Sequence, residues 1–375
     1  MKLRKYTAWL LATTSLLCSA SGCAFFGNKD DGGLKETSVR ATSPKHEKIV
    51  VLANVTLADF TENYTMYAGE LYYSAQSNYV MSGVTLTWTA DTPTDEYAVA
   101  ISTAEDLSNA ITYETTETQL HVDDLFVDTQ YYWQITAKYE TEEKKSAIYS
   151  FKTAKTPRTI YMEGVKNTRD IGGKITEDGK KLRQGMAYRG ARLDQISANG
   201  VVSALKTYGI KTDLDLRKAG EGTAGGESPL GADIQYFHYS CPYYWGGTNG
   251  IDYIDNHANL ASAIKVFAKE ENYPIYFHCS IGRDRTSMVA MLIQGVLGVP
   301  LEGILMDYEL SFLTEKGFYD TATPTHMVDT FMNTYSHIAS YNGAYTFMEG
   351  CEAYLLDIGV TSEEIEAIRF IMLES

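Results

Sequence analysis

The segment that most constrains the fold is a short loop between an apolar strand and an apolar helix. Its sequence reads His-Cys-Ser-Ile-Gly-Arg-Asp-Arg-Thr, from His278 to Thr286, and it follows the apolar residues 275–277. Successive backbone N–H groups of such a loop and the positive end of the helix dipole converge on one point. The segment therefore predicts an anion site at a strand-to-helix junction of an α/β domain, with no need for a metal.

The side chains of this loop suit phosphate chemistry. Cys279 shares the positive field, so its pKa should fall below the free value of about 8.5 and make it a nucleophile. Arg285 offers a planar fork of donors that matches two phosphate oxygens. Gly282 permits a backbone conformation that a Cβ would obstruct, and Thr286 can donate its hydroxyl to the sulfur. The alternative is a buried, inert thiol with Arg285 in a salt bridge.

The order of these residues resembles the phosphate loop of cysteine-dependent protein tyrosine phosphatases. With Asp immediately before its last Arg, the loop resembles that of the atypical bacterial tyrosine and lipid phosphatases, which reads HCxxGKDRTG. Further matches are Asn-Thr-Arg-Asp-Ile-Gly-Gly at 167–173, Tyr-Arg-Gly at 188–190, Asp-Leu-Arg at 215–217 and Gly-Val-Thr at 359–361. Arg283 stands where the family has Lys, and Ser287 where it has Gly. A rhodanese also uses a loop Cys, but its loop length and flanking residues differ. A Walker loop is excluded, because the chain has no Gly, four residues and then Gly-Lys-Ser/Thr. Low-molecular-weight phosphatases have the same Cys and Arg spacing at the start of the chain, which does not fit position 279.

The resemblance implies a phosphomonoester hydrolase that acts through a phosphocysteine intermediate, most simply a protein tyrosine phosphatase. It implies a catalytic set of His278, which orients the loop, with Cys279, Asp284, Arg285 and Thr286. The phosphate would be bound by Ser280, Ile281, Gly282, Arg283, Asp284 and Arg285.

Two other functions remain open from the sequence. The first is a phosphoinositide or inositol phosphate phosphatase, favoured by Arg283 as an extra anion clamp. The second is a surface adhesin or phospho-binding protein that holds phosphate without turnover. No cofactor is expected, and no metal, because the remaining histidines show no ligand spacing.

The general acid is less directly indicated, since the chain has no Trp-Pro-Asp tripeptide. Asp284 is the first candidate because it lies in the loop, although it could instead brace the loop by accepting backbone N–H bonds. Asp170 and Asp215 follow, and each could simply pair with an arginine. Asp252 and Asp255, after a glycine-rich stretch that could act as a lid, are weaker candidates.

Residues 158–375 alternate strand and helix, which predicts a mostly parallel sheet with helices on both faces. Strands are expected at 212–217, 234–240 and 274–278. A helix between the last two would place Leu260, Ile264 and Phe267 on one face. Thr361 and Glu364 form a capping box at the start of the last helix.

Residues 47–155 show short alternating stretches without helical periodicity, which predicts an all-β sandwich. Trp88 on an early strand and Tyr131, placed as in a tyrosine corner, make the segment similar to a fibronectin type III domain. Such modules space other domains or bind, so we expect a surface, carbohydrate or protein contact here rather than catalysis.

The N-terminus reads as a targeting segment. Residues 1–23 have a basic start, an apolar stretch and Ala-Ser-Gly-Cys at the end, which resembles a bacterial signal peptide with a lipobox. This predicts a lipid on Cys23 and anchoring to the outer face of the cell membrane; cleavage after Ala24 and secretion is the alternative. Residues 24–46 are polar and are expected to form a flexible tether.

The net charge of the chain argues against one class of partner. Lys and Arg number 32 against 48 Asp and Glu, which gives a net charge of −16. This charge disfavours a nucleic-acid partner, because nucleic-acid binding relies on basic residues.

Beyond the signal segment the cysteines are Cys241, Cys279 and Cys351, an odd number that leaves at least one thiol free. Cys241 is a conceivable resolving partner for an oxidised Cys279.

Overall fold

A computed structural model of the chain describes residues 34–35, 37–69, 81–241, 254–313 and 324–374. The proposed signal segment with Cys23 lies outside the described residues, as do Asp252 and the side chain of Asp255. Within the described ranges, no helix is both long enough and apolar enough to cross a membrane.

The N-terminal part of the described chain forms two β-sheets. Its strands are β1 (Val39–Ser43), β2 (Lys48–Val50), β3 (Val84–Ala90), β4 (Tyr97–Ser102), β5 (Ile111–Thr115), β6 (Gln119–Val122), β7 (Gln130–Lys138), β8 (Glu143–Lys145) and β9 (Tyr149–Thr153). One sheet has the order β1-β3-β6, and the other β2-β9-β7-β4-β5 with β8 beside β7. Trp88 of the first sheet meets Tyr97 of the second edge to face, with ring centroids 5.5 Å apart. Side chains alternate between buried and more exposed along β7, as expected of a sheet with one face in a core.

The hydroxyl of Tyr131 bonds back to the backbone, as the sequence predicts for a tyrosine corner. It accepts a 2.8 Å hydrogen bond from the amide of Phe126, five residues upstream. The ring stacks on Phe151 of β9, with centroids 5.5 Å apart. Tyr131 therefore fixes the turn before β7 to the neighbouring strand.

Two predicted features of this part are wrong. Strand β1 lies inside the predicted tether of residues 24–46, because Val39 and Ala41 are buried against β3. The segment predicted as all β also contains helix α1 (Val55–Glu62), which Asn54 caps by accepting from the amide of Leu57 at 2.9 Å. Leu57 and Phe60 are buried with residues of the C-terminal part, so tertiary contacts stabilise a helix that lacks clear periodicity.

The C-terminal part contains the mostly parallel sheet that the sequence predicts. Its strands are β10 (Arg169–Asp170), β11 (Ala187–Gly190), β12 (Thr212–Asp215), β13 (Gln235–His238) and β14 (Ile275–His278). Their order is β10-β11-β14-β12-β13, with only β10 antiparallel to its neighbour. All four residues of the central strand β14 are buried, so the sheet has covered faces.

Helices flank this sheet. Those described are α2 (Ala198–Val202), α3 (Ile254–Val266), α4 (Asp284–Val296), α5 (Leu301–Glu309), α6 (Pro324–Ala339), α7 (Phe347–Asp357) and α8 (Ser362–Met372). Helix α4 follows β14 directly and is buried along most of its length. The predicted capping box is confirmed: the Thr361 hydroxyl accepts from the amide of Glu364, and the Glu364 carboxylate accepts from the amide of Thr361.

Polar contacts join the N-terminal sheets to the C-terminal part. The side-chain amide of Gln184 accepts from the amide of Val127 at 2.9 Å and donates to its carbonyl at 2.8 Å. The Tyr208 hydroxyl donates to Asp124 at 2.7 Å. Because these hydrogen bonds join specific donors and acceptors, they fix how the two parts contact each other.

Candidate active site

The loop of residues 278–286, called the phosphate loop below, connects the central strand β14 to helix α4. Cys279 is the first residue after the strand and is only 2% exposed. Gly282 has a φ of +74°, and a Cβ at this position would lie 2.2 Å from the carbonyl oxygen of Gly190. Both the left-handed backbone and the close approach require glycine here, as the sequence predicts.

Side chains from outside the loop hold its carbonyl groups. Asn167 donates to the carbonyl of Ile281 at 2.9 Å. Arg189 donates to the carbonyls of Gly282 at 2.8 Å and Arg283 at 3.3 Å. In a trans peptide the N–H points opposite to the C=O. The amides that follow these three carbonyls therefore point to the other side of the loop, where they can bind an anion.

Cys279 has the environment of a thiolate. Burial raises its pKa, but the positive charge of Arg285 and hydrogen bonding by Thr286 lower it more, so the pKa lies below the ordinary value. The Thr286 hydroxyl is buried and has no other partner among the described residues. By contrast, burial raises the pKa of Cys241 to about 12, and it also raises that of Cys351. Cys279 is thus the most acidic of the three described thiols, all of which are free of disulfides.

Arg285 is held by a carboxylate that no sequence pattern indicates. Its Nη1 and Nη2 donate to the two carboxylate oxygens of Glu221 at 3.0 and 2.9 Å. The Ser280 hydroxyl donates to the same carboxylate at 2.7 Å. Burial raises the pKa of Glu221, but the hydrogen bonds from Arg285 and Ser280 lower it by more, so the pKa lies below its ordinary value and the residue is charged at neutral pH. A carboxylate therefore lies at the arginine fork that the sequence assigns to phosphate.

Asp284 lies in the first turn of α4, where a carboxylate also benefits from the helix dipole. Its Oδ1 accepts from Nε of Arg283 at 3.0 Å and lies 3.4 Å from the Tyr308 hydroxyl. The Arg283 guanidinium is buried, next to the ring of Phe312 and the sulfur of Met327. Arg283 thus pairs with the candidate acid rather than forming an exposed second anion clamp.

Asp170 has structural partners. It accepts from Arg158 at 2.9 Å and from the amides of Gly172 and Gly185 at 2.8 and 2.6 Å. The carboxylate is fully buried, so it braces the strand ends around β10. The sequence suggested pairing with an arginine, and that partner is Arg158.

The Asp215 carboxylate also has hydrogen-bond donors within the protein. It accepts from Nε and Nη2 of Arg217 at 3.0 and 2.8 Å, and from the Tyr236 hydroxyl at 3.0 Å. Neither Asp170 nor Asp215 has the position in the phosphate loop that Asp284 has.

A buried charge network lies behind the phosphate loop. Asp307 on α5 accepts from Nε of Arg169 at 2.9 Å and pairs with Arg189. The two arginines and Lys174, 3.9 Å away, hold the pKa of Asp307 well below its usual range despite its burial. Arg189 also donates to the hydroxyl of Ser287, where the family has Gly. Asp307 therefore fixes the arginine that holds the loop carbonyls.

The described residues contain no group of three or more His, Cys, Asp or Glu side chains arranged to hold a metal ion. The groups placed to bind a phosphate here are the backbone amides of the loop and the guanidinium of Arg285.

Comparison with known proteins agrees with this site. The sequence profile of the tyrosine phosphatase family matches residues 160–374. A Cupriavidus necator protein that carries the name tyrosine-protein phosphatase is 28% identical over 187 residues, which are 44% of this chain and 66% of that protein. A tyrosine-protein phosphatase of Nostoc commune is 24% identical over 197 residues, 44% of this chain and 67% of its own length.

Among solved structures, the core catalytic domain of the PP-IP phosphatase SIW14 from S. cerevisiae, in complex with citrate, matches at a TM-score of 0.28. It has 16% sequence identity and covers 46% of this chain and 86% of that domain. The chain spans about two thirds of the length of the curated relatives. The profile match extends over more than half of the 375 residues and includes the whole phosphate loop. The chain belongs to the tyrosine phosphatase family.

Proposed function

We propose that this protein is a cysteine-dependent phosphomonoester phosphatase, most simply a protein tyrosine phosphatase. The observation that carries the proposal is Cys279, a buried thiol with a lowered pKa at the start of a loop whose carbonyls are held from behind. Thiolate, backbone amides and Arg285 together are the groups needed to attack a phosphate ester and stabilise its charge.

In the proposed reaction, Cys279 attacks phosphorus in line and the bond to the leaving oxygen breaks, giving a phosphocysteine. Asp284 protonates the leaving oxygen, and its contact with Arg283 keeps it at the helix start. Water then attacks the phosphocysteine and releases inorganic phosphate. Thr286, whose buried hydroxyl can donate to the sulfur and lowers the Cys279 pKa, stabilises the departing thiolate in this second step.

The substrate is proposed from family membership and site chemistry. A phosphorylated protein is the first choice, because the curated relatives carry the name tyrosine-protein phosphatase. A phosphoinositide or inositol phosphate is the alternative. Its sequence-based support came from Arg283, which contacts Asp284, Phe312 and Met327 instead.

The experiment is a substrate panel of phosphotyrosine peptides, phosphoinositides and inositol phosphates, measured with wild type, Cys279→Ser and the matched control Cys351→Ala. We expect turnover in wild type and in the control, and a loss of at least about 10³-fold in Cys279→Ser. Vanadate binding should persist in Cys279→Ser. A wild type that binds phosphate esters but releases no phosphate would instead support the phospho-binding alternative.

We also propose that the protein lies outside the cytoplasm, anchored by a lipid on Cys23. We propose further that the N-terminal sheets form a fibronectin type III-like module. This module would contact a surface, a carbohydrate or a protein. The sequence of residues 1–23 and the tyrosine corner at Tyr131 support this. Expression of wild type and Cys23→Ala in a bacterial host tests the anchor. Detergent partitioning of wild type only is expected, and equal partitioning of both would contradict it.

A further inference from the structure

The ring of His278 lies between two groups that accept hydrogen bonds. Its Nε2 is 3.0 Å from a carboxylate oxygen of Asp213, and its Nδ1 is 3.2 Å from the carbonyl oxygen of Cys279. A carboxylate and a carbonyl donate no proton, whereas a neutral imidazole carries only one N–H. Both contacts are satisfied together when the ring carries two protons. The geometry therefore favours an imidazolium at this position.

The charges around the ring favour the same state. Asp213 and Asp215 are fully buried beside it, with Oδ1 of Asp215 4.0 Å from Nδ1. The ring of Tyr276 packs 5.6 Å away, and Arg217 is the opposing positive charge. Burial lowers the pKa of His278, but the two carboxylates raise it more, so the pKa lies above its ordinary value.

Asp213 is fixed in place. It lies on β12, in register with Tyr276 of β14, so its side chain and that of His278 project from adjacent strands. The Ser228 hydroxyl donates to its second carboxylate oxygen at 2.7 Å. With one oxygen bound to Ser228 and the other to His278, the carboxylate has a single orientation.

We propose that Asp213 is a positioning residue for the phosphatase reaction, an inference that rests on the function proposed above. Asp213 keeps His278 doubly protonated, and the Nδ1–H of His278 then holds the carbonyl of Cys279 and with it the first peptide of the phosphate loop. The positive ring lies next in sequence to the nucleophile, and the Asp213 charge lies on the far side of the ring. The pair therefore places an N–H, and not the Asp213 carboxylate, against the Cys279 carbonyl.

The test uses Asp213→Asn, which removes the charge and keeps the shape. We expect the His278 ring, assigned in NMR spectra by comparison with His278→Gln, to be an imidazolium at pH 7 in wild type and neutral in Asp213→Asn. Iodoacetamide should then alkylate Cys279 about threefold more slowly at pH 6, because loss of the positive ring raises the pKa of this thiol and leaves less thiolate. Mass spectrometry of the Cys279 peptide separates this thiol from the others.

The sign of the change distinguishes the two ways in which Asp213 could act. A direct effect, through loss of a negative charge near the thiolate, would lower the Cys279 pKa and speed alkylation. In a His278→Gln background, Asp213→Asn should not slow alkylation. Faster alkylation in the single variant, or equal slowing in both backgrounds, would overturn the proposal.

These readouts do not depend on turnover. If Asp213→Asn does not fold, the wild-type titration still decides, since a neutral His278 ring at pH 7 overturns the inference. An imidazolium in a wild type that releases no phosphate from any substrate would support the positioning of His278 by Asp213 and contradict the proposed function instead.

Discussion

Glu221 and Arg285 form a two-point ion pair, in which each terminal nitrogen of the guanidinium donates to one carboxylate oxygen at 3.0 and 2.9 Å. The carboxylate belongs to a glycine-rich stretch after β12 in which Gly220, Gly222 and Gly225 have positive φ. It thus carries negative charge to the place where the sequence predicts a phosphate. Any substrate phosphate must share or displace this partner.

Glu221→Gln should increase the affinity of the site for phosphate and vanadate by about three- to tenfold, because a like charge beside the anion is removed. Inhibition constants measured against an aryl phosphate substrate check this. Glu227→Gln, an exposed acid of the same loop, is the matched control and should change little. Weaker vanadate binding in Glu221→Gln would show instead that the carboxylate is needed to orient Arg285.

Asp284→Asn should show a strong dependence on the leaving group. With a phosphotyrosine substrate, whose leaving group needs a proton, we expect a loss of about 10²–10⁴-fold. With an aryl phosphate of low leaving-group pKa the loss should be much smaller.

Asp170→Asn and Asp215→Asn provide the comparison for this prediction. Because each carboxylate is buried with an arginine, these variants should lower the melting temperature and reduce both activities alike. An Asp284→Asn variant that damages both substrates equally would make Asp284 a brace for the loop and reopen the search for the acid.

Asp307→Asn should destabilise the protein by about 3–5 kcal/mol at pH 7, because it leaves Arg169 and Arg189 buried without their shared carboxylate. The pKa of Asp307 is depressed in the folded state. Its contribution to stability is therefore present above the unfolded pKa of about 3.9 and is lost as the pH falls toward the folded value. Urea unfolding of wild type and variant should show a difference at pH 7 that shrinks below about pH 4. A constant difference would contradict the charge-based explanation.

Much of the site could be predicted from sequence because its key residues are contiguous. Cys279, Gly282, Asp284 and Arg285 lie in one strand-loop-helix segment, where local spacing determines which groups meet. The parallel sheet followed from the alternation of apolar strands and helices. Both are local patterns, and local patterns can be read from one chain.

The missed residues act across long sequence separations. Glu221 is one of two acids in a glycine-rich stretch, with no periodicity that would assign it to Arg285. Asp307 is one of three acids on its helix, so its position alone does not single it out, and its partners Arg169 and Arg189 lie more than a hundred residues away. Helix α1 was missed because its stability comes from burial against the C-terminal part.

The most direct test of the central claim is detection of the covalent intermediate. Wild-type protein mixed with an aryl phosphate and quenched in acid within milliseconds should carry one phosphoryl group, which peptide mass spectrometry places on Cys279. Asp284→Asn should lose this species when the substrate has a poor leaving group, and Cys279→Ser should never form it. Rapid phosphate release with no phosphocysteine, or a phosphoryl group found on another residue, would contradict the account.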